Sequence, residues 1–225
     1  MINAPSLANC NFLTMGKQIE ELLAGGVDFF HIDIMDGNYV PNLCFPANLV
    51  ADLKSAYPDV TTDVHLMVNH PENYIDVLKE SGADYVSFHI DSTNFVRRTI
   101  TSIQQKGMKA GVVINPSQRI DLIEPYIELL DYVVLMTVEP GYAGQKFLDG
   151  SIERLEELVL LREKYNARFL ISIDGGVNYD NGKECVRRGA DILITGIYTI
   201  FNQKDGITQA CRDFKNAMSE VCPTL

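Results

Sequence analysis

Short apolar runs, many of them β-branched, alternate along the chain with longer stretches whose apolar residues recur at helical spacing. Residues 4–9, 28–34, 60–68, 84–90, 109–115, 131–138, 168–174 and 191–196 read as strands. Between and after them, 14–25, 46–57, 71–81, 94–106, 118–128, 151–165, 179–188 and 207–219 read as amphipathic helices. Gly25, Gly82, Gly107 and Gly189 fall where helices end and a left-handed cap suits glycine. Asp28, Asp84, Asp131 and Asp191 each precede an apolar strand run. Eight βα units predict a closed (β/α)8 TIM barrel, the alternative being an open flavodoxin-like sheet. With no low-complexity stretch, charge block or Pro/Ser-rich linker, residues 1–225 are expected to form a single domain.

In a barrel, chemistry collects at the carboxyl ends of the strands. On the second predicted strand His31, Asp33 and Met35 alternate, and so share one face; His65 and Met67 repeat the pattern on the third. His89 ends the fourth strand, Met136 lies near the end of the sixth, and Asp174 ends the seventh. Carboxylates buried in an apolar barrel need partners, and a divalent cation held by His31, Asp33, His65 and Asp174 supplies one. Mixed nitrogen and oxygen donors suit zinc, iron, manganese or cobalt. Met35, Met67 and Met136 read either as core filling or as a dry floor beneath a substrate.

Glycine-rich turns follow three successive strands: EPGYAGQKF, DGGVN and TGIYTIF. Barrels often bind phosphate at such loops through backbone N–H groups, and Gly141, Gly144, Gly175, Gly176 and Gly196 allow the backbone close to an anion.

Charge narrows the partners. Thirty acidic against 19 basic side chains give a net charge of −11, which argues against nucleic acid as a partner but leaves room for a small anion at a local site. Cys10, Cys44, Cys185, Cys211 and Cys222 are scattered and odd in number, which fits a reducing, cytoplasmic setting. MINAPSLANC lacks the pattern of a secretory leader, and no apolar run approaches the roughly 20 residues of a membrane span, so no membrane role is expected. Homo-oligomer formation stays open, because no heptad or exposed apolar helix face is evident.

SLANC, HIDIMDGNYVPN, HLMV, MTVEPGYAGQKF and IDGGVN resemble, in order and spacing, the ribulose-phosphate 3-epimerase superfamily over essentially the whole chain. The resemblance implies a barrel with one divalent metal ion (zinc, iron, manganese, cobalt or magnesium) and no organic cofactor, inverting carbon 3 of a ketose phosphate. It implies His31, Asp33, His65 and Asp174 as metal ligands, with Asp33 and Asp174 also the acid/base pair. One would remove the carbon 3 proton, leaving an enediolate, and the other would deliver a proton to the opposite face. Ser6, Met35, Met67 and Met136 would then meet the substrate, and Gly141, Tyr142, Ala143, Gly144, Gly175, Gly176, Gly196 and Ile197 the phosphate.

Two substrates compete within the resemblance. Thr137, Ala143 and the run Ile200, Phe201, Asn202 look more like the D-allulose 6-phosphate branch, whose product is D-fructose 6-phosphate. The intact DGG looks more like the D-ribulose 5-phosphate enzymes, whose product is D-xylulose 5-phosphate. Ile197 matches neither, since it replaces a hydroxyl that can bond phosphate. The six-carbon sugar is the expected substrate and the five-carbon sugar the alternative; a non-catalytic barrel that binds sugar phosphates is a remoter one. A decarboxylase is disfavoured because Met35 and Asn38 stand where its lysine and second aspartate belong. No lysine lies at a strand's carboxyl end to form a Schiff base.

Overall fold

A computed structural model describes residues 1–221. Cys222 and the last residues of the expected 1–225 unit lie outside the described residues. The strands are β1 (Ile2–Pro5), β2 (Phe29–Asp36), β3 (Leu43–Cys44), β4 (Thr61–Met67), β5 (Tyr85–His89), β6 (Lys109–Ile114), β7 (Tyr132–Met136), β8 (Leu170–Asp174) and β9 (Ile192–Thr195). Among the described residues they form one sheet in the order β1-β9-β8-β7-β6-β5-β4-β2-β3. Every pairing is parallel except that of β2 with β3, and a parallel bridge from Ser6 to His31 joins the end of β1 to β2. The curled sheet with helices outside is a (β/α)8 barrel. β3 is an addition that strand patterning did not predict.

Period-two alternation divides the core into two shells. Phe30, Ile32 and Ile34 face outward into the layer shared with the helices, while Phe29 packs inside with Ala4, Val113, Tyr132, Val134 and Ile194. The outer helices are α1 (Met15–Ala24), α2 (Asn48–Ala56), α3 (Ile75–Glu80), α4 (Val96–Gln105), α5 (Ser151–Lys164), α6 (Tyr179–Arg187) and α7 (Ile207–Ser219). On α4 the buried set Val96, Thr99, Ile100 and Ile103 follows the helical period and lies on the strands.

The 118–128 stretch departs from expectation. Ile120–Leu129 is a 3-10 segment with Pro125 inside it, and proline removes an N–H and clashes with the preceding turn of an α-helix. Among the helix-end glycines, Gly82, Gly107 and Gly189 take φ of 85°, 81° and 103°, but Gly25 does not. Gly26 holds that conformation, and Gly25 is needed for closeness instead: a Cβ there would lie 2.6 Å from the Cβ of Cys211 on α7. The carboxylates of Asp84, Asp131 and Asp191 accept from the N–H of Thr62, Ala110 and Ile171 on neighbouring strands, at 2.8–2.9 Å. Asp28 instead uses its backbone carbonyl, which accepts from Thr61 N–H at 2.7 Å. Among the described residues, no helix is long and apolar enough to cross a membrane.

Candidate active site

Strand register sets the height of each functional side chain. Asp33 pairs across with His65, Met35 with Met67, and Met136 with Asp174, so one rim receives them all. One donor atom from each of His31, Asp33, His65 and Asp174 lies within 4.8 Å of the others. His31 Nε2 is 3.4 Å from Asp33 Oδ1 and 3.8 Å from Asp174 Oδ2; His65 Nδ1 is 3.5 and 3.4 Å from the same carboxylates. These separations leave both nitrogens buried without a hydrogen-bond partner. Two imidazole nitrogens and two carboxylates converging on one point, with hydrogen bonds unmade, form a donor set suited to a divalent cation.

The far sides of both imidazoles are held. His31 Nδ1 is 2.8 Å from Asp63 Oδ2, a carboxylate oxygen that accepts, so Nδ1 carries a proton and in the neutral ring the lone pair is on Nε2. His65 Nε2 meets His89 Nε2 at 2.9 Å, and the ring of Tyr39 packs at a tilt against His89, their centroids 4.6 Å apart. Ser6 Oγ donates to Asp33 Oδ2 at 2.6 Å. Burial opposes the charge on Asp33, but the imidazoles of His31 and His65 outweigh it and hold its carboxyl well below the usual range. Burial likewise opposes protonation of His31 and His65, and the surrounding carboxylates lift both above the ordinary imidazole value. Burial, with His65 beside it, pushes His89 well below that value.

Above this cluster opens a cavity of about 650 Å³, counting the space at its mouth. Ser6, Asp33, Met35, Met67, Met136 and Asp174 line it, with Gly141, Tyr142, Ala143, Gly144, Gly175, Gly176, Gly196 and Ile197. Gly176 has φ of 63°, and a Cβ there would collide with the backbone nitrogen of Phe147. Asn181 Nδ2 donates to Gly176 O at 3.0 Å, while Asn178 and Asn181 cap the start of α6 reciprocally. Across the mouth, Asn42 Nδ2 donates to Gly141 O at 2.8 Å and the Tyr142 hydroxyl to Pro41 O at 2.7 Å.

The model of the ribulose-phosphate 3 epimerase family matches residues 2–201. A ribulose-phosphate 3-epimerase of Aquifex aeolicus (strain VF5) is 40% identical over 96% of both chains. That of Bacillus subtilis (strain 168) is 36% identical over 97% of this chain and 96% of its own. The chain belongs to the ribulose-phosphate 3-epimerase family. As a member of that family it is an isomerase-class carbohydrate epimerase. Among solved structures, 3-hexulose-6-phosphate synthase from Salmonella typhimurium superposes with a TM-score of 0.74 at 17% identity, over 98% of this chain and 99% of that one. KGPDC from Streptococcus mutans gives 0.73 at 15% identity, over 98% and 97%. At such identities the likeness shows the barrel fold.

Within the family's barrel, several features lay outside the residue-level reading. Asp63 and Tyr132 share inward faces with His65 and Met136, so the alternation that marks His31 and Asp33 also marks them. Asn9 lines the cavity and packs against Gly196, where a Cβ would lie 3.1 Å from its amide nitrogen. The residues that suggested a six-carbon sugar mostly face elsewhere. Thr137 Oγ1 lies 2.9 and 2.6 Å from the backbone oxygens of Asp174 and Gly175, and its one hydrogen is donated between them. Ile200 is fully buried and Phe201 packs against the outer core.

Proposed function

We propose that this chain is a ribulose-phosphate 3-epimerase, interconverting D-ribulose 5-phosphate and D-xylulose 5-phosphate. The carrying observation is the convergence of His31, Asp33, His65 and Asp174 within 4.8 Å beneath the cavity of a barrel from this family. The six-carbon preference finds no support in the relatives from Aquifex aeolicus and Bacillus subtilis, which are named for the five-carbon reaction. Of the residues behind that preference, Ala143 lines the cavity, whereas Thr137 serves the backbone beneath it.

His31 Nε2, His65 Nδ1 and one oxygen each of Asp33 and Asp174 would hold the metal ion, since the two nitrogens are otherwise unpartnered. A bound divalent cation supplies Lewis-acid stabilisation of the charge that develops on the sugar oxygens as carbon 3 loses its proton. Asp33 comes from β2 and Asp174 from β8, with β1 and β9 between them, so the carboxylates approach a sugar at the mouth from different sides. One carboxylate takes the carbon 3 proton and the other returns one to the opposite face. Ser6, donating to Asp33, orients that carboxylate. Met35, Met67 and Met136, each at most 9% exposed, keep water from the reacting carbon. The phosphate lies against the turns at Gly141–Gly144, Gly175–Gly176 and Gly196–Ile197, where backbone N–H groups replace the hydroxyl that Ile197 lacks.

The chain acts as one catalytic unit over residues 1–225, in a cytoplasm whose reducing conditions suit the free Cys10, Cys44, Cys185 and Cys211. Turnover of matched D-ribulose 5-phosphate and D-allulose 6-phosphate tests the substrate. A higher kcat/KM with the five-carbon sugar is expected; a higher value with the six-carbon sugar would return the choice to Ala143.

A further inference from the structure

Asp63 lies in the barrel interior beneath the candidate metal site, fully buried and outside the four-residue donor set. A carboxylate in such a place is costly unless both oxygens are hydrogen-bonded. Both are: Oδ2 meets His31 Nδ1 at 2.8 Å, and Oδ1 accepts from the Tyr132 hydroxyl at 2.7 Å. Asp63 sits on β4 and Tyr132 on β7, with β5 and β6 between, so the chain Tyr132–Asp63–His31 crosses the interior of the barrel. Space for the phenol is reserved. A Cβ at Gly111 would lie 2.5 Å from Tyr132 Cε1 and 2.6 Å from Cζ, the edge that carries the hydroxyl.

These contacts decide what His31 offers the site. Imidazole has two nitrogens, and a metal ligand must present a lone pair from one while the other carries a proton. Because Asp63 accepts at Nδ1, Nε2 is the nitrogen aimed at Asp33 and Asp174. A carboxylate free to rotate would fix this poorly; the Tyr132 hydroxyl removes that freedom from the opposite side.

We infer that Asp63 and Tyr132 are a buried positioning pair for His31, fixing its tautomer and ring plane so that Nε2 is ready for the cation. The inference rests on the metal reading of the four-residue site. It assigns work to a tyrosine that otherwise reads as ordinary strand core, and to a glycine whose absent side chain makes room for it.

The test uses full-length protein, with zinc affinity measured by competition against a chromophoric chelator and His31 followed by ¹⁵N NMR after histidine labelling. In the zinc-loaded parent, His31 is expected to carry its proton on Nδ1. Partners of metal-bound imidazoles typically contribute roughly 10- to 100-fold in affinity, so Tyr132→Phe should fall near the lower end and Asp63→Asn nearer the upper. Gly111→Ala adds a methyl where the ring lies and should weaken zinc binding much as Tyr132→Phe does, with the double variant no weaker than the worse single one. Melting of the metal-free proteins separates this from a purely structural role, which would lower the melting temperature and leave zinc affinity and the His31 signals unchanged. Parent-like affinity and parent-like His31 signals in both Tyr132→Phe and Asp63→Asn would overturn the inference. So would a zinc-loaded parent whose His31 is protonated on Nε2, with the metal reading intact. A parent that binds no stoichiometric divalent metal would overturn that reading and this inference together.

Discussion

In the proposed scheme Asp33 and Asp174 each have two tasks, holding a cation and moving a proton, and a neutral amide would do neither well. A positioned general acid or base contributes roughly a hundred- to ten-thousandfold, so Asp33→Asn and Asp174→Asn should each lower kcat by at least that range. Stopped assays of epimer formation check this, with metal content measured alongside, and near-parental turnover in either variant would reject the two-carboxylate scheme. In the same scheme Gly176→Ala probes the phosphate end of the sugar. Its φ of 63° and the backbone of Phe147 leave no room for a methyl, so KM should rise through a displaced phosphate turn. At this scale the site was legible where alternation placed chemically distinctive residues together, as with His31, Asp33 and His65. Asp63 obeys the same alternation, yet only depth within the barrel separates it from the four-residue donor set above. Tyr132 carried even less signal, because a tyrosine in an apolar strand run is what core packing alone would supply.

The elements matter through how they fasten the loops. Asn178 caps α6 and works with Asn181, which also holds Gly176 O, so the cap is joined to the DGG turn. Asn178→Ala should cost about 1 kcal/mol of stability, read from urea denaturation, and should also raise KM as the turn loosens. At the base of the barrel Asp131 accepts from Ala110 N–H, Lys109 and Gln104. Burial opposes its charge, but these donors prevail and hold its carboxyl below the ordinary value. A depressed folded pKa contributes stability that is complete above the unfolded value near ~4 and is lost as pH falls through the folded one. Asp131→Asn should therefore be less stable than the parent at pH ~7, a gap that narrows below pH ~4. Urea midpoints across that range check the sign. Most elements were legible because period alone separates strand from helix. The 3-10 stretch around Pro125 was misread because its buried Ile120, Ile123 and Ile127 imitate helical spacing, and β3 was too short for any period to show.

For the whole molecule, the barrel brings residues from β2, β4, β7 and β8, and Ser6 just after β1, to one rim, so metal binding should be tied to global stability. A cation at about 100 times its Kd stabilises the folded state by about 2.7 kcal/mol, which for a chain of this size is roughly 5–10 °C in Tm. Chelator-treated protein should melt lower by that amount and recover on adding zinc or manganese. Barrel closure was legible from the number of βα units, and the family from five ordered motifs. Substrate length was not, because Thr137 and Ile200 act behind the cavity wall rather than in it. The most direct measurement follows the carbon 3 proton of D-ribulose 5-phosphate by NMR in heavy water, with and without chelator. The account predicts exchange together with D-xylulose 5-phosphate formation, both abolished by chelator and restored by a divalent cation. Exchange that persists unchanged after complete metal removal, or no exchange in fully metal-loaded protein, would contradict it.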